Sequence, residues 1–456
     1  MRDTICAIST PSGIGAIAVV RASGDEAFDK LAPLFPKTNL KTLPPQTAKF
    51  TQIFDGENVI DQVVVVKFAS PHSYTGENMV EISCHGSLYI QKKILELMIE
   101  QGCRMAQPGE FTQRAFLNGK LDLPQAEAVA DLIESQSEST HKLAINQLKG
   151  SFSKTLNTLR EQLVQLGSLL ELELDFSEEE VEFANREDLN RLLDELSLET
   201  DRLLQSFKMG NALKTGIPVA IVGQPNVGKS TLLNTLLQHD RAIVSPIPGT
   251  TRDTVEDTFV INGTPFRFID TAGIRKANDS LENIGIERTF QAIDQAAIIF
   301  YMVDASRPDF SNVKAEVEEF KTQTDLTDKQ LLIIANKIDE LESLPEHYKE
   351  WHDMDIIFIS AKRQVNIGDI EVRLNEYIQQ HHVQDVSLLT NERHYALLSD
   401  MRTAIERIRQ GLADEIPTDL LAEDVRMALY DIGSLTGTIS TDELLDNIFG
   451  KFCIGK

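Results

Sequence analysis

Residues 223–230 read Gly-Gln-Pro-Asn-Val-Gly-Lys-Ser, after the apolar run Val219–Val222 and before a helical pattern over Thr231–Gln238. Strand, glycine loop and helix is the setting of a phosphate loop, G-x-x-x-x-G-K-S. The glycines let successive backbone N–H groups close round phosphate oxygens, and the helix N-terminus adds a potential favourable to anions. Asn226, Val227, Gly228, Lys229, Ser230 and Thr231 are therefore expected at a phosphate chain. Lys229 is placed for the β and γ phosphates and Ser230 for Mg²⁺.

Three further stretches lie outward from the loop. Asn336-Lys337-Ile338-Asp339 follows the apolar run Leu331–Ala335. Asp339 has the acceptors for the N1–H and 2-amino group of guanine; adenine lacks both donors and would leave a buried carboxylate unpaired. Ser360-Ala361-Lys362 follows Ile356–Ile359 and suits a loop backing the base. Asp270-Thr271-Ala272-Gly273 follows Phe266–Ile269; Asp270 is expected to reach Mg²⁺ through water and the Gly273 N–H to sense the γ-phosphate. Four signatures in order, each after a strand-like run, imply GTP binding.

Hydrolysis needs an oriented water, and many small GTPases carry a glutamine directly after D-x-x-G. Ile274 stands there and cannot serve. Candidate groups follow in Arg275–Glu282; Glu282 among them reads either as the water-orienting group or as a plain surface acid at a helix start. Residues 245–254, Ser-Pro-Ile-Pro-Gly-Thr-Thr-Arg-Asp-Thr, form the expected first switch. There Thr251 would complete Mg²⁺ coordination, and the backbone of Ser245, Pro246, Ile247, Pro248, Gly249 and Thr250 offers carbonyls to a monovalent cation. The Asn226 side chain would join such a cation, with Arg252 as the alternative source of positive charge.

The chain has 456 residues, so several domains are expected, with apolar content sufficient for real cores. No apolar run approaches a membrane span, and Met1-Arg2-Asp3-Thr4 does not open a signal peptide. Cys6, Cys84, Cys103 and Cys453 are scattered, which suits a reducing cytoplasm and excludes a disulfide framework or a C-x-x-C zinc site. A net charge of −26 argues against broad nucleic-acid binding; any RNA contact is local or shared with a more basic partner.

Residues 1–118 mix short strand patterns (Ala16–Arg21, Val63–Phe68, Met79–Cys84) with an amphipathic helix over Leu88–Met98, an α+β domain. From Leu123 to Phe207 the pattern is helical, and Leu156, Leu159, Leu163, Leu166 and Leu170 form a seam stepping by three and four. The acidic run Glu171–Glu187 reads as a solvated helix–helix connection. Helices resume over Leu388–Gln410 and Leu420–Ile432, with Thr418-Asp419 as N-cap. Helical segments on both sides imply that the GTP-binding domain, residues 214–383, is inserted between residues 119–213 and 384–456 of one helical domain. Two formal matches are set aside. Gly13–Ala18 fits G-x-G-x-x-A but leads into a strand pattern, and Gly450–Lys456 fits G-x-x-x-x-G-K with no helix after it.

Pro-Gly-Thr-Thr-Arg-Asp (248–253), Asp-Thr-Ala-Gly-Ile-Arg (270–275), Asn-Lys-Ile-Asp (336–339), Leu-Asn-Gly-Lys-Leu-Asp-Leu (117–123) with Gln-Ala-Glu-Ala (125–128), and the terminal Cys453-Ile454-Gly455-Lys456 together resemble the MnmE (TrmE) family of tRNA-modification GTPases. The likeness covers the whole chain, and the Cys-x-Gly-Lys ending is its most specific mark. It implies a multidomain α/β protein with an N-terminal α+β folate-binding-like and dimerisation domain, a helical domain and an inserted Ras-like P-loop GTPase domain. It implies a tetrahydrofolate one-carbon derivative held by Arg21, Glu81, Lys120 and Lys456. K⁺ ligands fall on Asn226, Ser245, Ile247 and Thr250, the water-orienting glutamate on Glu282, and a catalytic-site cysteine on Cys453. The implied partners are a second copy, a flavin-dependent protein, MnmG (GidA), that alone carries FAD, and tRNA modified at C5 of the wobble uridine. A ribosome-assembly GTPase shares the switch sequence but would bring an RNA-binding module or second GTPase domain; a one-carbon enzyme with a regulatory GTPase insert is the third reading.

Overall fold

Alternation along Ile17–Ser23 sends Val20 and Ala22 to one side of a strand and Arg21 to the other. This strand lies in the first of two six-stranded sheets. The computed structural model describes residues 3–175, 186–239, 257–269, 290–307, 312–341, 356–381, 388–414 and 416–455. They form two units: Met1–Ile133, Asn146–Ser197 and Leu397–Lys456 in the first, Glu134–Ile145 and Leu198–Ala396 in the second.

The first sheet contains β1 (Ile5–Ile8), β2 (Ile17–Ser23), β3 (Ala48–Asp55), β4 (Asn58–Phe68), β5 (Met79–His85) and β6 (Arg104–Met105), in the order β3-β4-β5-β2-β1-β6. All its pairs are antiparallel except β1–β6. One face, with Cys6, Val20, Ala22, Val65 and Ile82, is closed by Ile94, Leu97 and Met98 of the helix Leu88–Glu100. The other face carries Ile5 and Ala7 under Phe111 and Tyr74. In the helical part of the unit, Leu156, Leu159, Leu163, Leu166 and Leu170 of the helix Ser151–Asp175 are all fully buried. That helix packs on the helix Thr418–Thr436. A Cβ at Gly167 would stand 3.2 Å from Val425 Cγ1, so the small residue permits the close crossing. Thr418 is not an N-cap: Pro417 holds that position without a side-chain cap bond, and the helix begins at Thr418 itself. Thr441, by contrast, does cap the helix Asp442–Phe449, accepting from Leu444 N at 3.2 Å.

The second sheet contains β7 (Ile217–Gly223), β8 (Asp257–Ile261), β9 (Thr264–Phe268), β10 (Ile298–Asp304), β11 (Gln330–Asn336) and β12 (Ile356–Phe358), in the order β12-β11-β10-β7-β9-β8. Only the β8–β9 pair is antiparallel. Strands covered on both faces read as unbroken apolar runs, as in Ile-Ile-Phe-Tyr-Met-Val of β10. Val219, Ile221, Ile298 and Phe300 point to the helices Lys229–His239 and Ile367–His381, while Val303, Ile333 and Ala335 point to the helix Val313–Gln323. The β8–β9 turn places Asn262 at φ 47° and Gly263 at φ 78°. Two successive left-handed residues give a type I′ turn, whose twist matches the hairpin. The helix Glu138–Leu148 is capped reciprocally, with Thr140 N donating to Ser137 Oγ at 3.2 Å and Ser137 N to Thr140 Oγ1 at 3.1 Å. Among the described residues no helix is long and apolar enough to cross a membrane.

Candidate nucleotide-binding site

Parallel strands present their carboxyl ends along one edge of the second sheet, where ligands of open α/β sheets bind. β7, β10, β11 and β12 end there in the segments containing Gly223–Gly228, Asp304–Ser306, Lys337–Asp339 and Ile359–Val365. The phosphate loop is left-handed at Asn226 (φ 63°) and at Gly228 (φ 100°), a backbone that turns N–H groups inward into an anion nest. Two of its glycines admit no other residue. A Cβ at Gly228 would lie 2.2 Å from Asn336 Nδ2, and one at Gly223 2.2 Å from Met302 O. Val227 anchors the loop in the core, and the helix from Lys229 starts at once, with Leu232 N bonded to Gly228 O at 2.9 Å. Lys229 Nζ folds back to Gly223 O at 2.5 Å and Gln224 O at 3.0 Å. Its burial pulls the ammonium below the usual lysine range. Phosphate oxygens in the nest fit this lysine, replacing its carbonyl partners with anionic ones. Ser230 stands at the helix start and Thr231 is exposed beside it.

The base end is joined to the phosphate end by one side chain. Asn336, 3% exposed, donates from Nδ2 to Val227 O at 2.8 Å and accepts at Oδ1 from Ala361 N at 2.9 Å. Deleting its amide would unpin both loops. Lys337, at φ 71°, sends Nζ to Asp304 Oδ2 at 2.5 Å. Burial pushes the Asp304 carboxyl up, but Lys337 and both donors of Ser306 outweigh it and hold it below the ordinary range. Asp339 accepts from Ser360 Oγ at 2.7 Å, and this bond keeps its carboxyl below the usual range against some desolvation. It thus remains an ionised acceptor, as a guanine edge requires. Ser360 also takes Arg363 N at 3.0 Å and closes a small bridge with Val365, while Ala361 O is bound by Thr235 Oγ1 at 3.0 Å. Lys362, next in the chain, is exposed.

Sequence reading missed part of the support. Asp304 ends the apolar run Ile298–Val303, the same strand-end signal that marked Asp339, and could have been found that way. Gln224 is bracketed by Arg307 Nη1 at 3.2 Å and Glu316 Oε2 at 3.4 Å, themselves an ion pair, for which sequence spacing gives no sign. Ser245, Pro246, Ile247, Pro248, Gly249, Thr250, Thr251, Arg252, Asp270, Thr271, Ala272, Gly273, Glu282 and Lys456 lie outside the described residues.

In the first unit Arg21 and Glu81 are register partners across β2 and β5. The guanidinium donates to Glu81 Oε1 from Nε at 2.9 Å and Nη2 at 2.7 Å. It also lies over the Tyr74 ring at 5.6 Å and the Phe111 ring at 5.5 Å, which restrict where it can turn. Lys120 Nζ donates to Pro71 O at 3.0 Å. The exposed Cys453 is held through its carbonyl by Gly109 N at 3.4 Å, and Ser9 Oγ donates to Gly455 O at 3.2 Å. The structure therefore couples Arg21 to Glu81 as one paired group and brings the chain's last described residues to the end of β1.

A parallel sheet with a glycine nest, a buried asparagine clasp and an ionised aspartate at the base end defines a P-loop protein with guanine-nucleotide signatures. Comparison with known proteins gives the family. Residues 4–120 match the model of the GTP-binding protein TrmE N-terminus, and residues 123–453 match that of the MnmE helical domain. The tRNA modification GTPase MnmE of Bacteroides thetaiotaomicron is 49% identical over 471 residues, covering 100% of both chains. That of Cytophaga hutchinsonii is 47% identical over 456 residues, 100% of this chain and 98% of the relative. Over 35% of this chain, the FeoB G-domain of Methanococcus jannaschii matches at 24% identity and a TM-score of 0.25, with 96% of that domain covered. The chain belongs to the MnmE family of tRNA modification GTPases.

Proposed function

We propose that this protein hydrolyses GTP in the service of tRNA modification. With a flavin-dependent partner of the MnmG (GidA) type, it adds an aminomethyl or carboxymethylaminomethyl group at C5 of the wobble uridine, U34. The observation that carries the nucleotide part is the Asn336 clasp between Val227 O and Ala361 N beside the ionised Asp339, which makes phosphate grip and base selection one rigid assembly. Membership of the family supports the tRNA part.

In this reading the phosphate nest of Asn226–Gly228 and Lys229 orient the triphosphate, and Asp339 selects guanine. Glu282 orients the attacking water. Ser230 and Thr251 would hold Mg²⁺; Asn226, Ser245, Ile247 and Thr250 would hold K⁺, and these ions when bound offset charge developing at the β–γ bridge. Arg21, Glu81, Lys120 and Lys456 would hold a tetrahydrofolate one-carbon derivative, with Cys453 beside it on the terminal segment. FAD belongs to the partner. The working form is a cytoplasmic homodimer joined to the partner as a heterotetramer, with residues 214–383 inserted in a helical domain built from 119–213 and 384–456.

Mass analysis of wobble nucleosides tests the whole. Expressed in a bacterial strain lacking its own family member, the chain should restore the C5 modification, and the Lys229→Ala variant should not. Unmodified wobble uridine with a repaired ribosomal-subunit profile would overturn the reading in favour of a ribosome-assembly GTPase.

A further inference from the structure

The unit that carries the nucleotide site includes a short segment from far upstream. Glu134–Ile145 clusters with Leu198–Ala396, although the chain on either side of it, up to Ile133 and from Asn146, clusters with the first unit. Within the second unit this segment meets the β8–β9 hairpin. Ser139 N donates to Gly263 O at 2.9 Å. At Gly263 a Cβ would stand 2.8 Å from the Cβ of Glu138, so hairpin tip and helix start touch without slack. Leu143, one turn further on, packs against the core of the sheet. The last turn of the same helix is tied within the first unit: Leu148 O accepts from Gln125 Nε2 at 3.0 Å, and Leu148 packs with Leu123 and Val129.

The hairpin matters because of what adjoins it in the chain. The first switch sequence, 245–254, precedes it, and Asp270–Gly273 and Glu282 follow it. β9 also pairs directly with β7, the strand that ends in the phosphate loop. We propose that Glu138, Ser139 and Leu143 are positioning residues for GTP hydrolysis: by holding the β8–β9 hairpin they set both switch segments that flank it. The inference rests on the GTP reading above. It has a reciprocal side. If the γ-phosphate changes where the hairpin lies, the hold of the Glu138–Leu148 helix changes by the same free energy, and that helix is covalently continuous with the first unit at both ends.

Hydrogen exchange on the full chain tests this, with GDP and with a non-hydrolysable GTP analogue, each with Mg²⁺ and K⁺. The peptide spanning residues 134–149 should exchange differently in the two states. Protection of the phosphate-loop peptide by nucleotide with no change in 134–149 overturns the proposal. An unprotected phosphate loop overturns the GTP reading, and the proposal falls with it. A variant pair adds a kinetic readout. Gly263→Asn keeps a residue that tolerates the left-handed backbone but drives a Cβ against Glu138; Glu138→Gly removes the atoms it meets. The single Gly263→Asn change should slow turnover roughly 5-fold or more, the low end of ordinary coupling, with GTP affinity unchanged, and the double variant with Glu138→Gly should lose clearly less than the two single losses multiplied together. A turn-strain effect alone would leave the two losses independent, and that result, or an unchanged rate in Gly263→Asn, would sink the positioning role.

Discussion

The two six-stranded sheets treat buried charge in opposite ways. In the first, charged residues sit on the sheet and beneath it. Arg21 and Glu81 face each other across two strands, and Arg114, at 5% exposure, binds Glu77 at 3.1 Å and Glu110 at 2.9 Å. Ser23 and Thr75 extend that network, and Asp3 and Arg104 close its outer side. In the second, the central strands β10 and β11 are apolar up to their last residues, and nearly every polar group of the candidate site lies at or just past a carboxyl end. A site at strand ends is written in contiguous loops. A site on a sheet face is scattered over every second residue of different strands, and only register assembles it.

If that contrast is right, single loop residues of the second sheet carry sharply defined functions. Asp339→Asn should weaken GTP binding roughly 100-fold or more while favouring xanthine nucleotides, because a lost acceptor leaves guanine donors unpaired. Parent-like GTP affinity would detach base selection from this strand end. Glu282→Ala should cut turnover by about 100-fold, on the scale of one lost transition-state contact, with GTP affinity little changed. Steady-state rates beside equilibrium titration will show it.

On the first sheet, removing one member of a pair should damage the fold and, with it, the proposed folate site. Glu81→Ala leaves Arg21, 16% exposed, without its carboxylate. A stability loss of about 1–3 kcal/mol is expected, and on the proposed reading a loss of tetrahydrofolate binding with it; Arg21→Ala with Glu81→Ala should cost less stability than the sum of the two singles. Additive losses in denaturant melts would show that the pair does not act as one group.

Acid should also test the paired charges beside the first sheet. The hydrogen bond from Arg104 leads in holding Asp3 at about 2, from an ordinary value of 3.8. Burial pushes Glu110 up, but Arg104, Gln107 N and Arg114 outweigh it and keep it below its usual range. Both carboxyls have depressed folded values, so their stabilisation is present above the unfolded values and is lost as pH falls toward about 2. Asp304 and Asp339 of the second unit are depressed in the same direction, so pepsin digestion stepped from pH 4 to pH 2 should open both units, and Asp3→Asn should flatten the pH dependence of cutting in the first unit alone. Asp431 has the opposite sign. Burial, with repulsion from Asp400, raises it from 3.8 to about 6. Its folded form holds a proton longer than the unfolded chain, so it costs stability as pH rises through that window. Asp431→Asn should raise stability at pH 7 by about 1 kcal/mol, after allowance for solvent screening, and the gain should vanish below pH 4.

Legibility followed the same contrast. The phosphate loop, Asn336–Asp339 and Ser360–Lys362 were readable because each follows an apolar run and the parallel strand end does the positioning. The leucine seam of Ser151–Asp175 was readable because helical period alone selects its buried face. Arg21 and Glu81 were singled out only through family resemblance. Nothing within either strand tells which residue of the other it will meet, and their mutual pairing came from the register. The start at Thr418 was misread because a threonine before an apolar run resembles a cap, while Pro417 occupies that place. The Asn262-Gly263 hairpin turn passed unremarked between two louder motifs, though it is the contact point of the upstream helix.

Ser9 and Gly455 bond at 3.2 Å although 446 positions separate them, and a Cβ on Gly455 would lie 2.3 Å from Ile8 O. Strand β1 thus waits for a neighbour that is translated 446 positions after Ser9. At bacterial elongation speeds of about 5–20 residues per second, that interval is roughly 20 to 90 seconds. The second unit has all its strands well before then. Birth order and completion order are therefore inverted for these two sheets: the second unit is able to close while β1 still lacks its late neighbour. A stalled or truncated translation product would carry a finished nucleotide unit on an unfinished base.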